Sequence, residues 1–298
     1  MSQPTRQTTT GRVYLDLRAR ARREGRPTDE LLVLYVLERF LYRLSLSSHR
    51  SRFVLKGGML LAAFDERRPT GDVDLLVANI SNDAETISRL IREILAIGVD
   101  DGVAFEPDGL RAAVIREADP YTGVRITVPA SIARARHPLR IDVNIGDPVT
   151  PAPVEIAYPT LLGEPFEILG YPIETVLAEK VVTMVDRGDA TTRERDSADV
   201  LILAGRHALD AGLLREAIHA TGAHRGSDLR SLRSVLVELA PTRQSDWERF
   251  VDRSGLADVL PREHAEAIST VAAFADPILT GEVTSGRWYP SVAEWRSA

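Results

Sequence analysis

Apolar positions run through the chain in two rhythms. From 29 to 46, DELLVLYVLERFLYRLSL, they recur around much of a helical cylinder. This predicts a buried helix, capped by Thr28 or Asp29 after Pro27. From about 83 to 97 a single stripe of Ile87, Leu90, Ile91, Ile94 and Leu95 predicts a one-sided helix, with Asn82 or Asp83 as its cap. The second rhythm is alternation. It predicts strands in DVDLLVA at 72–78, GVAFEP near 102–107, GVRITVPASIA near 123–133 and PLRIDVNIG at 138–146. In the last of these Leu139, Ile141, Val143 and Ile145 face one way, and Arg140, Asp142 and Asn144 the other.

Shorter pieces complete the layout. FVL at 53–55 is a short strand or the lead into a helix, GGMLLAAF at 57–64 a short helix, and DERRPTG a loop broken by Pro69 and Gly71. Helical spacing dominates from 173 onward, over 173–188, 194–208, 211–221, 227–239, 245–254 and 262–280. The Pro-rich stretch 147–172 reads as a boundary or irregular connection. The expected class is α+β: a mixed-sheet core in the N-terminal half followed by a helical C-terminal half. The expected domains are 1–150, an α/β domain with basic N-terminal helices, and 151–298, a helical domain closing a cleft.

Composition narrows the chemistry. The 298 residues suffice for one large or two ordinary domains, and 44% apolar content suits a packed core. Cysteine is absent, which removes disulfides, thiol catalysis and zinc–thiolate sites. The opening MSQPTRQTTTG has no apolar centre and the longest apolar run, LLVLYVL at 31–37, is too short to span a bilayer. These features lead to the expectation of a soluble cytoplasmic protein. The net charge of −6 is unevenly spread: residues 1–52 hold 11 Arg against 5 acids, with the densest basic stretch at 12–26. That stretch is either a phosphate-contacting segment or a solvated helix face. Of 37 basic residues only Lys56 and Lys180 are lysines. The bias toward arginine makes these two positions informative, because a compact ammonium does not substitute for a planar guanidinium.

Lys56 precedes Gly57 and Gly58, and Asp72 and Asp74 follow in Asp-Val-Asp. On a strand those two carboxylates share a face, and repulsion between them is relieved by a divalent cation such as Mg²⁺ or Mn²⁺. The structural alternative is a strand end whose acids pair with Arg67 and Arg68. Paired glycines at a helix start let backbone N–H groups approach a phosphate, and Lys56 adds a point charge. Asp142 offers a third carboxylate on a separate strand, which would complete a phosphate-transfer site able to hold two metals. Further on, Lys180 is either functional or a lysine snorkelling from a buried helix. Asp196 and Asp199 share a helix face and could pair with Arg193 or Arg195. The six histidines show no metal-binding spacing.

A Gly-Gly followed by an apolar-framed Asp-x-Asp resembles the signature of the polymerase-β-type nucleotidyltransferases. The fuller string of LKGGMLL, RPTGDVDL, AEKVVTM and RERDSADVLIL, within about 50–205, resembles the AbiEii nucleotidyltransferases, a branch that includes MenT-type toxins. The resemblance implies Asp72 and Asp74 as metal ligands, with Asp142 joining them by analogy with the wider superfamily. It implies Lys56, Gly57, Gly58 and Arg68 around the nucleotide, Lys180 on the triphosphate, and Asp196 and Asp199 as the helical Asp-x-x-Asp, Asp196 being the catalytic member. Two positions depart from the pattern: the wider superfamily often has Gly-Ser at 57–58, and the family commonly has Lys where Arg195 stands. The implied activity is metal-dependent transfer of nucleotides from NTP to RNA, at the tRNA 3′ end, as the toxin of a toxin–antitoxin pair with a cognate antitoxin. Its rivals are the same fold acting on a protein side chain or a small molecule such as an aminoglycoside, and a catalytically silent RNA-binding protein.

Overall fold

The computed structural model describes residues 4–77, 83–116, 122–188, 194–236 and 240–297. Its contacts group the chain into two units, one of 1–146 with 154–170 and one of 147–153 with 171–298.

The first unit begins with α1 (Thr9–Glu24) and α2 (Thr28–Leu46), followed by β1 (Phe53–Lys56) and the four-residue α3 (Gly57–Leu60). Next come β2 (Val73–Val77), α4 (Ala84–Leu95), β3 (Val103–Phe105), β4 (Arg111–Arg116), β5 (Thr122–Val128), β6 (Ala130–Ile132), β7 (Ala135–Arg136) and β8 (Leu139–Ile145). The stretch expected to be irregular contributes β9 (Val154–Tyr158) and β10 (Phe166–Gly170), which join this unit. Seven strands form one mixed sheet in the order β4-β5-β8-β2-β1-β10-β9. The β1–β10 and β2–β8 pairs are parallel and the remaining pairs antiparallel. A small second sheet is built from β3, β6 and β7, so the expected strand 123–133 is split at Pro129.

Local chemistry explains the helices. α4 starts where the Asp83 carboxylate accepts a 2.6 Å hydrogen bond from the Thr86 N–H. Its stripe of Ile87, Leu90, Ile91, Ile94 and Leu95 is buried, and it packs on β4 and β5. Asn82, the other expected cap, lies outside the described residues. α2 begins at Thr28 with Pro27 before it, and no side chain caps it. Pro lacks an N–H and its φ suits a helix entry, so the start is set by the backbone and not by the expected Thr28 or Asp29 cap. Burial on nearly all sides of α2 comes from contacts with α1, α4, β8 and β10. One sheet face is therefore apolar and covered; the opposite face carries the polar residues.

The second unit holds α5 (Ile173–Arg187), α6 (Glu194–Arg206), α7 (Ala211–Arg225), α8 (Leu232–Leu236), α9 (Gln244–Ser254) and α10 (His264–Leu279), ending in a hairpin of β11 (Arg287–Tyr289) and β12 (Glu294–Arg296). The helix expected over 227–239 is described only at 232–236; residues 227–231 are not helical and 237–239 lie outside the described residues. Trp247 is the largest side chain of a core cluster with Ala198, Ile202, Val251 and Ala267. The hairpin is pinned by its indoles: Trp288 donates to Ala204 O at 2.6 Å and Trp295 to Phe274 O at 2.8 Å. Among the described residues no helix is long and apolar enough to cross a membrane.

Candidate active site

Strand pairing draws four charged residues into one transverse row. Lys56 stands opposite Asp74, Asp74 opposite Asp142, and Asp142 opposite Arg125. Directly opposed residues project from the same face, so the row reads cation, carboxylate, carboxylate, cation. Asp72 lies two residues before Asp74, at the entrance to β2. Two adjacent carboxylates would repel, and the flanking ammonium and guanidinium offset that repulsion. Lys56 is 7% exposed, so its stem is packed within the sheet unit.

The Gly-Gly pair is explained by what lies against it. Gly57 has φ +67°, and a Cβ there would sit 1.9 Å from Asp74 Oδ2. Its missing side chain is the space the Asp74 carboxylate fills. A Cβ on Gly58 would sit 2.7 Å from Thr70 Oγ1 and 3.3 Å from Arg68 Nη1. Thr70 in turn donates to Asp72 Oδ1 at 3.1 Å, and Arg68 Nη1 donates to Pro69 O at 3.3 Å. The glycines thus let the loop bearing Arg68, Thr70 and Asp72 fold down onto α3. Since α3 is only four residues long, the close approach matters here and a helix dipole does not.

Asp142 is engaged. Arg125 Nε and Nη2 donate to its two oxygens at 2.8 and 2.6 Å, a fork-to-fork pair. The Arg125 guanidinium is held well above its ordinary pKa by the hydrogen bond to Asp142 and its charge, with Asp72 and Asp74 adding to the effect. Among the described residues no group of three or more acidic or His side chains is arranged to hold a metal ion. Of the three carboxylates expected to share a metal, Asp142 is the one paired with Arg125 here. Asp72 and Asp74 still fit Mg²⁺, which takes one or two carboxylates and completes its shell with water and substrate phosphates.

The loop into the site is anchored from below. Glu38 on α2 is fully buried and accepts from Arg39 Nη2 at 2.8 Å and from the Leu161 N–H at 2.7 Å. Arg67 Nη1 lies 3.5 Å from Glu38 Oε2, the oxygen that also accepts from Leu161, Arg67 Nη2 donates to Pro159 O, and the guanidinium lies over Tyr158. Arg67 is therefore tied to buried structure, not to the aspartates.

The second unit brings its own three expected residues together. Lys180 Nζ on α5 donates to Asp196 Oδ1 at 3.2 Å and to Asp199 Oδ2 at 2.5 Å on α6. Asp199 is 2% exposed, so this is a largely dehydrated ion pair and neither acid is a solvated surface group. Arg195 points outward, and Arg193 lies outside the described residues.

Thr70 and Arg125 are the residues that the sequence reading passed over. Alternation in GVRITV does put Arg125 on the polar face between Val124 and Ile126. Its partner, 17 positions away, follows only from strand pairing.

The model of the AbiEii family, described as a nucleotidyl transferase toxin of type IV toxin–antitoxin systems, matches residues 39–272. Among solved structures the chain is similar to MenT4, a nucleotidyltransferase toxin of Mycobacterium tuberculosis. The TM-score is 0.59 at 17% identity, over 91% of this chain and 89% of that one, a likeness of fold. It is also similar to JHP933 of Helicobacter pylori, with a TM-score of 0.48 at 13% identity over 84% of this chain and 94% of that one. No curated protein sequence matches. The family match extends well beyond the motifs of residues 56–74 and through the Lys180–Asp196–Asp199 cluster, and the chain belongs to the AbiEii family of nucleotidyltransferase toxins.

Proposed function

We propose that this toxin transfers a nucleotide from an NTP to an RNA hydroxyl, the tRNA 3′ end being the acceptor, and so blocks translation. The observation that carries the reading is the seating of Asp74 in the space left by Gly57, beside Asp72 and in line with Lys56. Such a constellation suits handling of a metal-bound triphosphate. Asp72 and Asp74 would hold Mg²⁺ or Mn²⁺, which when bound supplies charge neutralisation and polarisation of phosphate oxygens.

The remaining roles belong to the chain. Lys56, Gly57, Gly58 and Arg68 border the nucleotide phosphates. Lys180, oriented by Asp199, serves the leaving phosphates, and Asp196 positions the acceptor hydroxyl and takes its proton. The acceptor oxygen bonds to the α-phosphorus, the bond from that phosphorus to the bridging oxygen breaks, and pyrophosphate departs with the electron pair. Asp142 is kept by Arg125 as part of the support for Asp74, and would join the metal only on leaving Arg125. A basic α1 surface favours RNA over a small-molecule acceptor. The family context implies a cognate antitoxin and a cytoplasmic site of action.

Label transfer tests this directly. Purified protein is incubated with Mg²⁺, each α-³²P-labelled NTP in turn and total tRNA, beside a protein-only control and Asp72→Ala. The expected result is label on tRNA that disappears in the variant. Label on protein would move the acceptor to a side chain. Full activity of Asp72→Ala would overturn the metal-site assignment. No label from any NTP, with RNA still bound, would favour the silent binding-protein reading.

A further inference from the structure

The polar face of the large sheet continues past the aspartates. Next to the row of Asp74, Asp142 and Arg125, a second row sets Arg140 of β8 opposite Thr127 of β5, and Thr127 opposite Arg111 of β4. Residues 125 and 127, and 140 and 142, are two apart, so both rows lie on one face, about 7 Å from each other. The reverse face carries Val124, Ile126, Val128, Leu139, Ile141 and Val143, all buried. Arg111, Arg136 and Arg140 are exposed. At this end of the sheet lies a depression of about 510 Å³ lined by Arg111, Arg136, Thr127, Pro129, Glu106 and Asp108 among others. Thr127 on β5, part of its wall, lies two strand spacings from β2 and one row over, so the depression begins about 12 Å from Asp74. That is the span of a few nucleotides of an extended strand.

We infer that this face is the acceptor subsite, on which the 3′-terminal single strand of the RNA lies across β8, β5 and β4. Its phosphates meet Arg140, Arg111 and Arg136, and a nucleoside upstream of the reacting end occupies the depression. The inference rests on the reading of nucleotidyl transfer to RNA given above. Arginine forks suit phosphate oxygens bidentately, and a basic track along a groove is how single strands are held. The carboxylates in the wall decide between an RNA strand and the NTP. Glu106 and Asp108 disfavour a triphosphate, yet accept hydrogen bonds from ribose hydroxyls and exocyclic amines. A volume of this order holds one nucleoside with its phosphate.

The test uses the full chain and a 5′-labelled single-stranded RNA oligonucleotide with a free 3′ hydroxyl. Arg111→Ala/Arg136→Ala and, separately, Arg140→Ala are compared with wild type for RNA binding against salt and for the KM of RNA and of NTP. All three side chains are exposed, so folding is retained. For the double variant the expected outcome is an RNA KM raised about tenfold or more and a salt slope shallower by about 1.4, two phosphate contacts being lost. The NTP KM should stay within about twofold, since no triphosphate contact is removed. Arg140→Ala should give a smaller change of the same kind. An unchanged RNA KM and slope, or a rise confined to the NTP KM, would overturn the inference while leaving RNA transfer intact. Wild-type protein that neither binds nor modifies RNA would instead bring down the functional reading, and this subsite with it.

Discussion

A methyl group at position 57 would lie 1.9 Å from Asp74 Oδ2, on a backbone with φ +67°. Two penalties follow, of different kinds. The left-handed backbone costs an alanine about 1–2 kcal/mol, which the fold can absorb. The steric overlap cannot be absorbed in place: it pushes the Asp74 carboxylate by more than an ångström, or moves β1 from β2. Displacement on that scale at a reacting centre costs about 100-fold in rate. Gly57→Ala is therefore expected to keep most of its thermal stability and to lose at least about 100-fold in nucleotidyl transfer, measured by label transfer and a melt on the same sample. Near-normal transfer would mean that Asp74 is not held where the chemistry needs it. The two lysines follow a similar logic. Lys56 stands opposite Asp74 and Lys180 donates to both Asp196 and Asp199, positions where the chain uses a compact ammonium in place of its usual guanidinium.

Among elements, the segment from Asp65 to Asp72 is the one on which the site depends, and it has no regular structure of its own. It is held at one end by Gly58 under Thr70 and Arg68, and at the other by Arg67 over the buried Glu38. Burial pushes the Glu38 carboxyl above its ordinary range, in spite of Arg39, Arg67 and the Leu161 N–H, which pull the other way. Glu38→Gln keeps an acceptor for that N–H but leaves two mostly buried guanidinium groups without their anion. The neutral amide also relieves the desolvation of the anion, so stability should fall by less than the ~3 kcal/mol of a broken buried pair, read as a shifted denaturant midpoint with an unchanged slope. Unchanged stability would show that the network contributes position alone. The same element shows where sequence legibility ends. α4 and the strand 139–145 were legible because periodicity and cap are local; the strand expected to carry both Asp72 and Asp74 starts at Val73, with Asp72 just before it. β9 and β10 were not legible: they are short, flanked by Pro and Gly, and β9 is an edge strand, where alternation is weakest. β4, with its run of exposed Ala and Val, escaped for the same reason. The Arg125–Asp142 pair and the Glu38–Arg67 anchor join residues distant in sequence, and no spacing rule encodes them.

For the whole molecule, a net charge of −6 opposes RNA binding only at long range: at physiological ionic strength fields beyond about 8 Å are screened and local patches count. The patch at the N-terminus is smaller than the sequence suggests. Of the 11 arginines in residues 1–52, Arg39 and Arg43 are buried. Arg6, Arg20, Arg26 and Arg50 are paired with Asp16, Glu24, Glu30 and Glu155. What remains on the outside of α1 is Arg12, Arg18, Arg22 and Arg23, while Val13, Leu17 and Ala21 face inward. The helix is thus anchored by one stripe and basic along another, so its charge can be reversed without touching its packing. Arg18→Glu/Arg22→Glu should leave the melting temperature within about 2 °C, as surface substitutions usually do. The same variant should weaken tRNA binding at least about tenfold at low salt, with the loss shrinking as salt rises. Anisotropy titrations over a salt series check this. Equal affinity at low salt would make α1 a solvated face and leave the sheet arginines as the RNA contact; a loss that persists at high salt would indicate damage to folding and not to phosphate binding.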